Sequence, residues 1–214
     1  MATKLTRDQV LEMCARRDAG QITDLWLNDT DLSGLDLAGC DLRGAQLRNA
    51  TLSATNLQNA DLSHADLQNA NLALADLRNA HFYEAKLAGA NLNDANLTFT
   101  YLGRADCTAA KFLGANLTMV DARKVNLSLA DLRRATLRGA KLNGATLELA
   151  DLTGAKLTDA NLTAANAQGV KFAQADLRNA DLRGANLKRA DLATANLSGA
   201  NLSNVTMPDG TKHE

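Results

Sequence analysis

The chain has 214 residues, 46% of them hydrophobic, with 23 Lys and Arg against 24 Asp and Glu and a net charge of −1. That near-balance argues against a general polyanion binder and equally against a strongly acidic protein. Aromatics are only 3% and there is one proline, so bulk comes from Ala and Leu, which suits a narrow interior. No apolar stretch approaches a membrane span, and the start MATKLTRDQV lacks a signal-peptide core. Both point to a soluble, cytoplasmic chain.

Residues 1–24 form a first segment. Thr6 and Gln9 have capping-box spacing, Leu5 and Val10 that of a hydrophobic staple, and Asp8 favours the first turn. The spacing predicts a helix from Arg7 to about Ala19, stopped by Gly20, with Val10, Leu11, Met13 and Cys14 on its apolar side. Such a helix either caps the first coil of a repeat region beginning at residue 25, hiding an open β-edge, or docks a partner. Cys14, Cys40 and Cys107 are an odd number and read as small buried thiols rather than a disulfide framework.

From residue 25 to 207 the chain obeys one rule. Leucine recurs at every fifth residue from Leu27 to Leu202, and the exceptions include Phe82, Phe112, Phe172, Cys107, Ala122, Ala167 and the final Met207. Five matches neither the strand period of two nor the helix period of 3.6, and a fixed repeat over most of a chain signals a solenoid. With the leucine at position i, position i−2 is small, i−1 is mostly Asp or Asn, i+1 is Ser, Thr, Arg or Gln, and i+2 is often Gly or Asn. Positions i−2 and i therefore point inward and i−1 and i+1 outward, as in a short strand, with i+2 at a corner.

Ala65-Asp66-Leu67-Gln68-Asn69, Ala75-Asp76-Leu77-Arg78-Asn79 and Ala185-Asn186-Leu187-Lys188-Arg189 share an A(D/N)Lxx pattern. The chain resembles the pentapeptide repeat family over residues 25–207. The resemblance implies an all-β solenoid, a right-handed quadrilateral parallel β-helix with four pentads per coil, here beneath a short N-terminal α-helical cap. Twenty residues per coil gives about nine coils, and a strand spacing of ~4.8 Å gives a rod ~43 Å long. Residues twenty apart should then stack. One coil holds Cys107, Phe112, Leu117 and Ala122, another Ala167 and Phe172, so volume is traded within a coil. Phe82 has no such small partner. Outside, Asp and Arg two residues apart share a side, as in Asp41–Arg43 and Asp176–Arg178, and stacked amides such as Asn59 over Asn79 and Asn96 over Asn116 favour ladders.

Residues 208–214 are a tail, in which Pro208 and Asp209-Gly210 should end the stacking. The tail resembles those of cyanobacterial members of the family, which points to a regulatory role.

No constellation for catalysis, cofactor binding or metal binding emerges. There is no glycine-rich phosphate loop, CxxC pair or nucleophile elbow, and the many Asp and Asn residues are repeat grammar. His64 and His81 fall near Glu84, but surface histidines of this kind are ordinarily solvated. The outward positions of residues 81–124 do break the rule. Tyr83 and Tyr101 share one side, with Gly103 beneath Tyr83 leaving room for a ring; Phe99 and Met119 stack on the preceding corner; Arg104, Arg123 and Lys124 lie beside them. Clustered aromatic, Met and Arg residues are interface chemistry. Leu129 and Leu149 form a second group and Leu74 and Leu113 are isolated, unless these leucines fold inward over the corners.

The primary reading is a non-catalytic protein-interaction or scaffold rod, binding an unidentified protein partner through Tyr83, Phe99, Tyr101, Arg104, Met119 and Arg123 or through its ends, as a monomer or an end-to-end homodimer. The family resemblance raises an alternative, DNA mimicry toward a type II topoisomerase such as gyrase. A duplex of ~43 Å would show ~25 negative charges, whereas here acids are cancelled by bases and the column Asp31, Thr51, Asn71, Asn91, Lys111, Asp131 is mixed. The same balance argues against direct nucleic-acid binding. A purely structural spacer is a further alternative.

Overall fold

Each pentad forms one side of a square. In the computed structural model, which describes residues 3–21 and 23–214, isolated parallel bridges join each outward i−1 residue to the residue twenty further on, from Trp26↔Gln46 to Asn186↔Thr206. A twenty-residue period made of five-residue sides gives a four-sided parallel β-helix. The backbone accounting explains why. Leu32 N–H donates to Thr51 O (2.7 Å), Thr51 N–H to Thr30 O (2.8 Å) and Gly34 N–H to Ser53 O (2.9 Å), so three amides per side bond to neighbouring coils. The fourth closes the corner, as where Ala45 N–H donates to Leu42 O (3.1 Å). The third residue of that turn, Gly44, has φ 66, as a type II turn requires. The fifth amide, at i+1, bonds to the Asp or Asn at i−1: Ser33 N–H donates to Asp31 Oδ1 (2.9 Å) and Ser63 N–H to Asp61 Oδ1 (2.9 Å). The acidic or amide residue of the repeat is thus a structural acceptor as well as a solubilising group.

The interior is the leucine column. From Leu27 to Leu187 the residues at i are at most 1% exposed, and most of the small residues at i−2 are equally hidden. Thr55 and Thr100 replace alanine there, and their hydroxyls donate to Leu32 O (3.0 Å) and Leu77 O (2.7 Å), so no buried polar atom is orphaned among the described residues. Phe82, Phe112 and Phe172 are fully buried. Phe112 and Ala122 lie on sides two apart and face each other across the square, which puts the oversized and undersized side chains in register. Nothing in the structure explains how the coil around Phe82 accommodates its ring.

The helix α1 spans Arg7–Asp18, one residue shorter than expected, with the full Thr6–Gln9 capping box. Gly20 N–H donates to Arg17 O (2.8 Å) and Gln21 N–H to Arg16 O (2.9 Å), a Schellman stop. Val10 and Cys14 are buried in the common core, with Leu11 and Met13 packed beside them. Arg17 donates to Asp41 O (3.1 Å) and Arg43 O (3.2 Å), and Arg7 to Asp36 O (2.8 Å), which seats the helix on the first coil. Sequence patterning missed one element here. The strand β1 (Thr3–Lys4) runs parallel to β2 (Thr30–Asp31), pairing Thr3 with Thr30. The first coil edge is therefore covered by strand and helix together. Residues 1, 2 and 22 of the expected lead-in lie outside the described residues.

At the other end, Pro208 O accepts from Arg189 N–H (2.8 Å), after which the tail folds back antiparallel, Lys212 against Thr206. Stacking stops where Pro208 and Gly210 were expected to stop it. Leu192, Leu197, Leu202 and Met207 are only partly buried, so the last coil is less covered than the first.

The Asp–Arg pairs expected two residues apart form, at 2.6–2.8 Å, at Asp41–Arg43, Asp76–Arg78, Asp121–Arg123, Asp131–Arg133, Asp176–Arg178 and Asp181–Arg183. The amide ladders do not form where expected. Asn96 and Asn116 turn their Oδ1 atoms onto Thr98 and Thr118 of their own pentads, and the amide-to-amide bonds fall instead at Asn91–Asn71 (3.0 Å) and Asn186–Asn166 (3.1 Å).

The packing and the ion pairs each generate a measurable outcome. Ala122→Leu costs about 1–3 kcal/mol by overpacking, and Phe112→Leu in the same chain recovers part of it, read as a double-mutant cycle in urea. Hydrogen bonds from Arg43 and Arg178 hold Asp41 and Asp176 down at about 2, against an ordinary value of 3.8. Their contribution to stability is complete above pH 3.8 and is lost as pH falls through about 2. In Arg43→Gln/Arg178→Gln the melting temperature therefore falls less steeply across that window than in the wild type.

Candidate functional site

The repeat supplies a cost scale for its own exceptions. Asp or Asn at i−1 provides one hydrogen bond per pentad, and Gly at i+2 takes positive φ without strain. A residue of another kind at either place forgoes one of these benefits, and several such residues collect on one side of the rod.

The i−1 column of that side reads Asp41, Asp61, His81, Tyr101, Asp121, Lys141, Asn161, Asp181, with each residue bridged to the next. At His81 and Tyr101 no side-chain carboxylate or amide is available to accept from the amides of Tyr83 and Gly103. The aromatic rings pair instead: His81 and Tyr101 have centroids 4.6 Å apart at 40°, and His64 and Tyr83 meet edge-on at 5.9 Å and 88°. Tyr83 is 42% exposed and Tyr101 46%. With Gly103, Arg104, Arg123, Lys124 and Asn143 they border a shallow recess of about 400 Å³. Gly103 is not needed for clearance, because a Cβ there would sit 3.5 Å from Tyr83 Cδ2, an ordinary contact.

Phe99 and Met119 occupy the corner before this side, in consecutive coils, with φ 59 and 56. A left-handed backbone costs a residue with a Cβ about 1–2 kcal/mol. Both residues are also about half exposed, and Met119 leans along the rod over Gly139. Each therefore combines backbone strain with apolar exposure, neither of which the coil requires.

The cations are held by carboxylates. Arg123 reaches both oxygens of Asp121 (2.8 Å each), and Arg104 meets Glu84 at 3.4 Å. Glu84 Oε2 also lies 3.6 Å from His64 Nδ1, while His81 stacks on Tyr101 and does not join them. The structure thus brings Tyr83, Tyr101, Arg104 and Arg123 around one recess and places Phe99 and Met119 on the preceding corner of the same coils.

Leu74, Leu129 and Leu149 do not fold inward. Positive φ at i+2 turns each Cβ away from the interior, leaving them 64%, 57% and 57% exposed. Leu113, at i+1, is half-buried. Trp26 is a residue that sequence reasoning passed over. It stands at i−1 of the first coil, 65% exposed, beside Met13 and Arg16. An indole at a position normally held by Asp or Asn was the available signal. The three cysteines are free thiols, and burial pushes each of them up.

Because the corner strain belongs to Phe99 and Met119 themselves, Phe99→Asn and Met119→Asn each stabilise the fold by about 1 kcal/mol. Thermal unfolding of the single variants checks this; a loss of stability would show that the side chains are needed for packing.

The family model for pentapeptide repeats matches residues 27–63, 55–94, 90–128, 130–169 and 171–207. No curated protein matches the chain. Among solved structures, HetL, a pentapeptide repeat protein involved in heterocyst differentiation regulation in the cyanobacterium Nostoc sp. strain PCC 7120, is 31% identical. That match covers 98% of this chain and 100% of HetL, with a TM-score of 0.57. QnrB1, a plasmid-mediated fluoroquinolone resistance protein, is 20% identical over 85% of this chain and 91% of its own, with a TM-score of 0.42. A pentapeptide repeat protein of the Arabidopsis thaliana thylakoid lumen is 30% identical over 51% of this chain and 69% of its own, with a TM-score of 0.21. Repeats that fill the rod from Leu27 to Met207 leave one assignment: the chain belongs to the pentapeptide repeat family, whose members fold as right-handed quadrilateral β-helices.

Proposed function

We propose that the protein is a non-catalytic interaction rod of about nine coils, capped by α1, that binds a protein partner through Tyr83, Phe99, Tyr101, Arg104, Met119 and Arg123. One observation carries the reading. Lost turn acceptors at His81 and Tyr101, strained corners at Phe99 and Met119, and exposed rings coincide around one recess of the rod. Local rules broken together, without gain to the fold, mark functional surface. A shallow recess with aromatic walls and an arginine rim is also the anatomy of an interface centre.

Full-length similarity to a protein involved in regulating heterocyst differentiation supports a regulatory role for the partner complex. The partly covered Leu192, Leu197 and Leu202 at the C-terminal end support end-to-end pairing of two copies as a further mode beside the monomer. DNA mimicry finds less support on the surface: the bridged column Asp31, Thr51, Asn71, Asn91, Lys111, Asp131 carries mixed charge rather than a run of acids.

Photocrosslinking tests the docking site. A photoreactive residue in place of Tyr101 or Met119, in cells of the native host, yields a discrete partner adduct. The same residue in place of Thr163, further along the same side, does not. Adducts of equal yield at all three positions would remove the mid-rod surface from the proposal.

A further inference from the structure

Charge is unevenly distributed along the rod although the total nearly vanishes. Residues 1–98 hold eight Lys or Arg against thirteen Asp or Glu, residues 99–143 hold eight against three, and residues 144–214 hold seven against eight. The net charges are −5, +5 and −1. All eight bases of the middle band are exposed. The band contains most of the docking surface described above. In the column through Tyr101, the aspartate that the repeat places at Asp41, Asp61 and Asp181 is replaced by His81, Tyr101 and Lys141. Lys124 borders the recess and Lys141 comes after Asp121 in the column; among the described residues neither has a carboxylate within ion-pair reach.

From this we infer that the mid-rod surface takes an acidic segment of a partner protein, one apolar or aromatic side chain of which enters the recess between Tyr83 and Tyr101. The inference rests on the docking surface proposed above and names its partner by chemistry. Acidic groups on the segment meet Lys124 and Lys141, while Arg104 and Arg123, already oriented by Glu84 and Asp121, present their remaining donors. The dimensions suit a short linear segment. From Tyr83 to Asn143 the surface crosses four coils, or ~14 Å at ~4.8 Å per step, the length of roughly four extended residues. A recess of about 400 Å³ has room for one large side chain. A nucleic-acid backbone fits less well. The band's bases are spread around the square, with Lys111 and Arg133 on one side and Arg138 on the next, and Glu84 and Asp121 interrupt the row a phosphate chain would track.

A random peptide library panned on the full-length protein supplies the probe. Enriched peptides are then titrated by fluorescence anisotropy against the wild type, Phe99→Ser/Tyr101→Ser, Lys124→Glu/Lys141→Glu and the remote control Lys188→Glu. The expected peptides carry net negative charge and an apolar residue. Their affinity falls about tenfold in each mid-rod variant, stays level in Lys188→Glu, and weakens as salt is raised. Neutral or basic peptides, or full binding by Lys124→Glu/Lys141→Glu, overturn the acidic partner. If Phe99→Ser/Tyr101→Ser still loses binding in that case, the docking surface itself stands. No enrichment, or binding unaffected by either mid-rod variant, overturns both. An oligonucleotide that binds more tightly than any peptide, with loss in the charge-reversed variant, overturns the inference in favour of nucleic acid.

Discussion

A square coil must turn a corner every five residues, and nearly every corner puts one residue into the left-handed region. That single demand organises the molecule. It selects Gly or Asn at i+2, leaves three residues to each side, and reduces each side to one bridged residue between turns. It also sets the roles of the neighbours. The amide left over at the turn needs an acceptor, and Asp or Asn at i−1 supplies it. With the backbone satisfied from coil to coil, the interior needs only a leucine and a small residue from each side to fill a narrow square.

Such economy makes the surface readable in energetic terms. In most folds an exposed apolar residue means little, because exposed apolar atoms are common. Here the same residue occupies a position whose best occupant is known. Phe99 and Met119 could be Gly or Asn; His81 and Tyr101 could be Asp. Each departure costs the order of a hydrogen bond or a strained dihedral, ~1 kcal/mol. Costs of this size recur along the rod, as at Lys141, Leu149 and Lys156; what sets these four apart is that each carries a ring or a thioether into solvent beside one recess. Leu129 and Leu149 show the same corner strain but do not line the recess at Tyr83 and Tyr101.

The charge pattern belongs to a different level. Asp–Arg pairs two residues apart neutralise each side locally, and their hydrogen bonds hold the carboxylates down without creating a field. The band between residues 99 and 143 departs on both counts, with bases denser and acids sparser than in the rest of the chain. Its net positive charge is exposed and so sensitive to salt, suited to steering an acidic partner over short range toward a recess whose aromatic walls retain it.

By itself the sequence determined the period, the inward and outward positions, the capping box, the stop at Gly20, the Asp–Arg pairs and the end of stacking at Pro208. All of these are local: they depend on residues within a few positions or on a strict repeat, and the family resemblance supplied the four sides. The clustering of Tyr83, Phe99, Tyr101 and Met119 was legible too, because a twenty-residue register turns sequence distance into position on the rod. Only the tertiary structure decided the rest. The pairing of β1 with β2 joins residues before the helix to the first coil, and no periodicity announces a two-residue strand. The choice of Asn96 to bond within its pentad, the outward lean of Leu74, Leu129 and Leu149, and the exposure of Trp26 depend on the backbone angle at each corner and on which acceptor is nearer. Those are questions of distance and direction, which a repeat specifies for its average member and the folded chain settles one residue at a time.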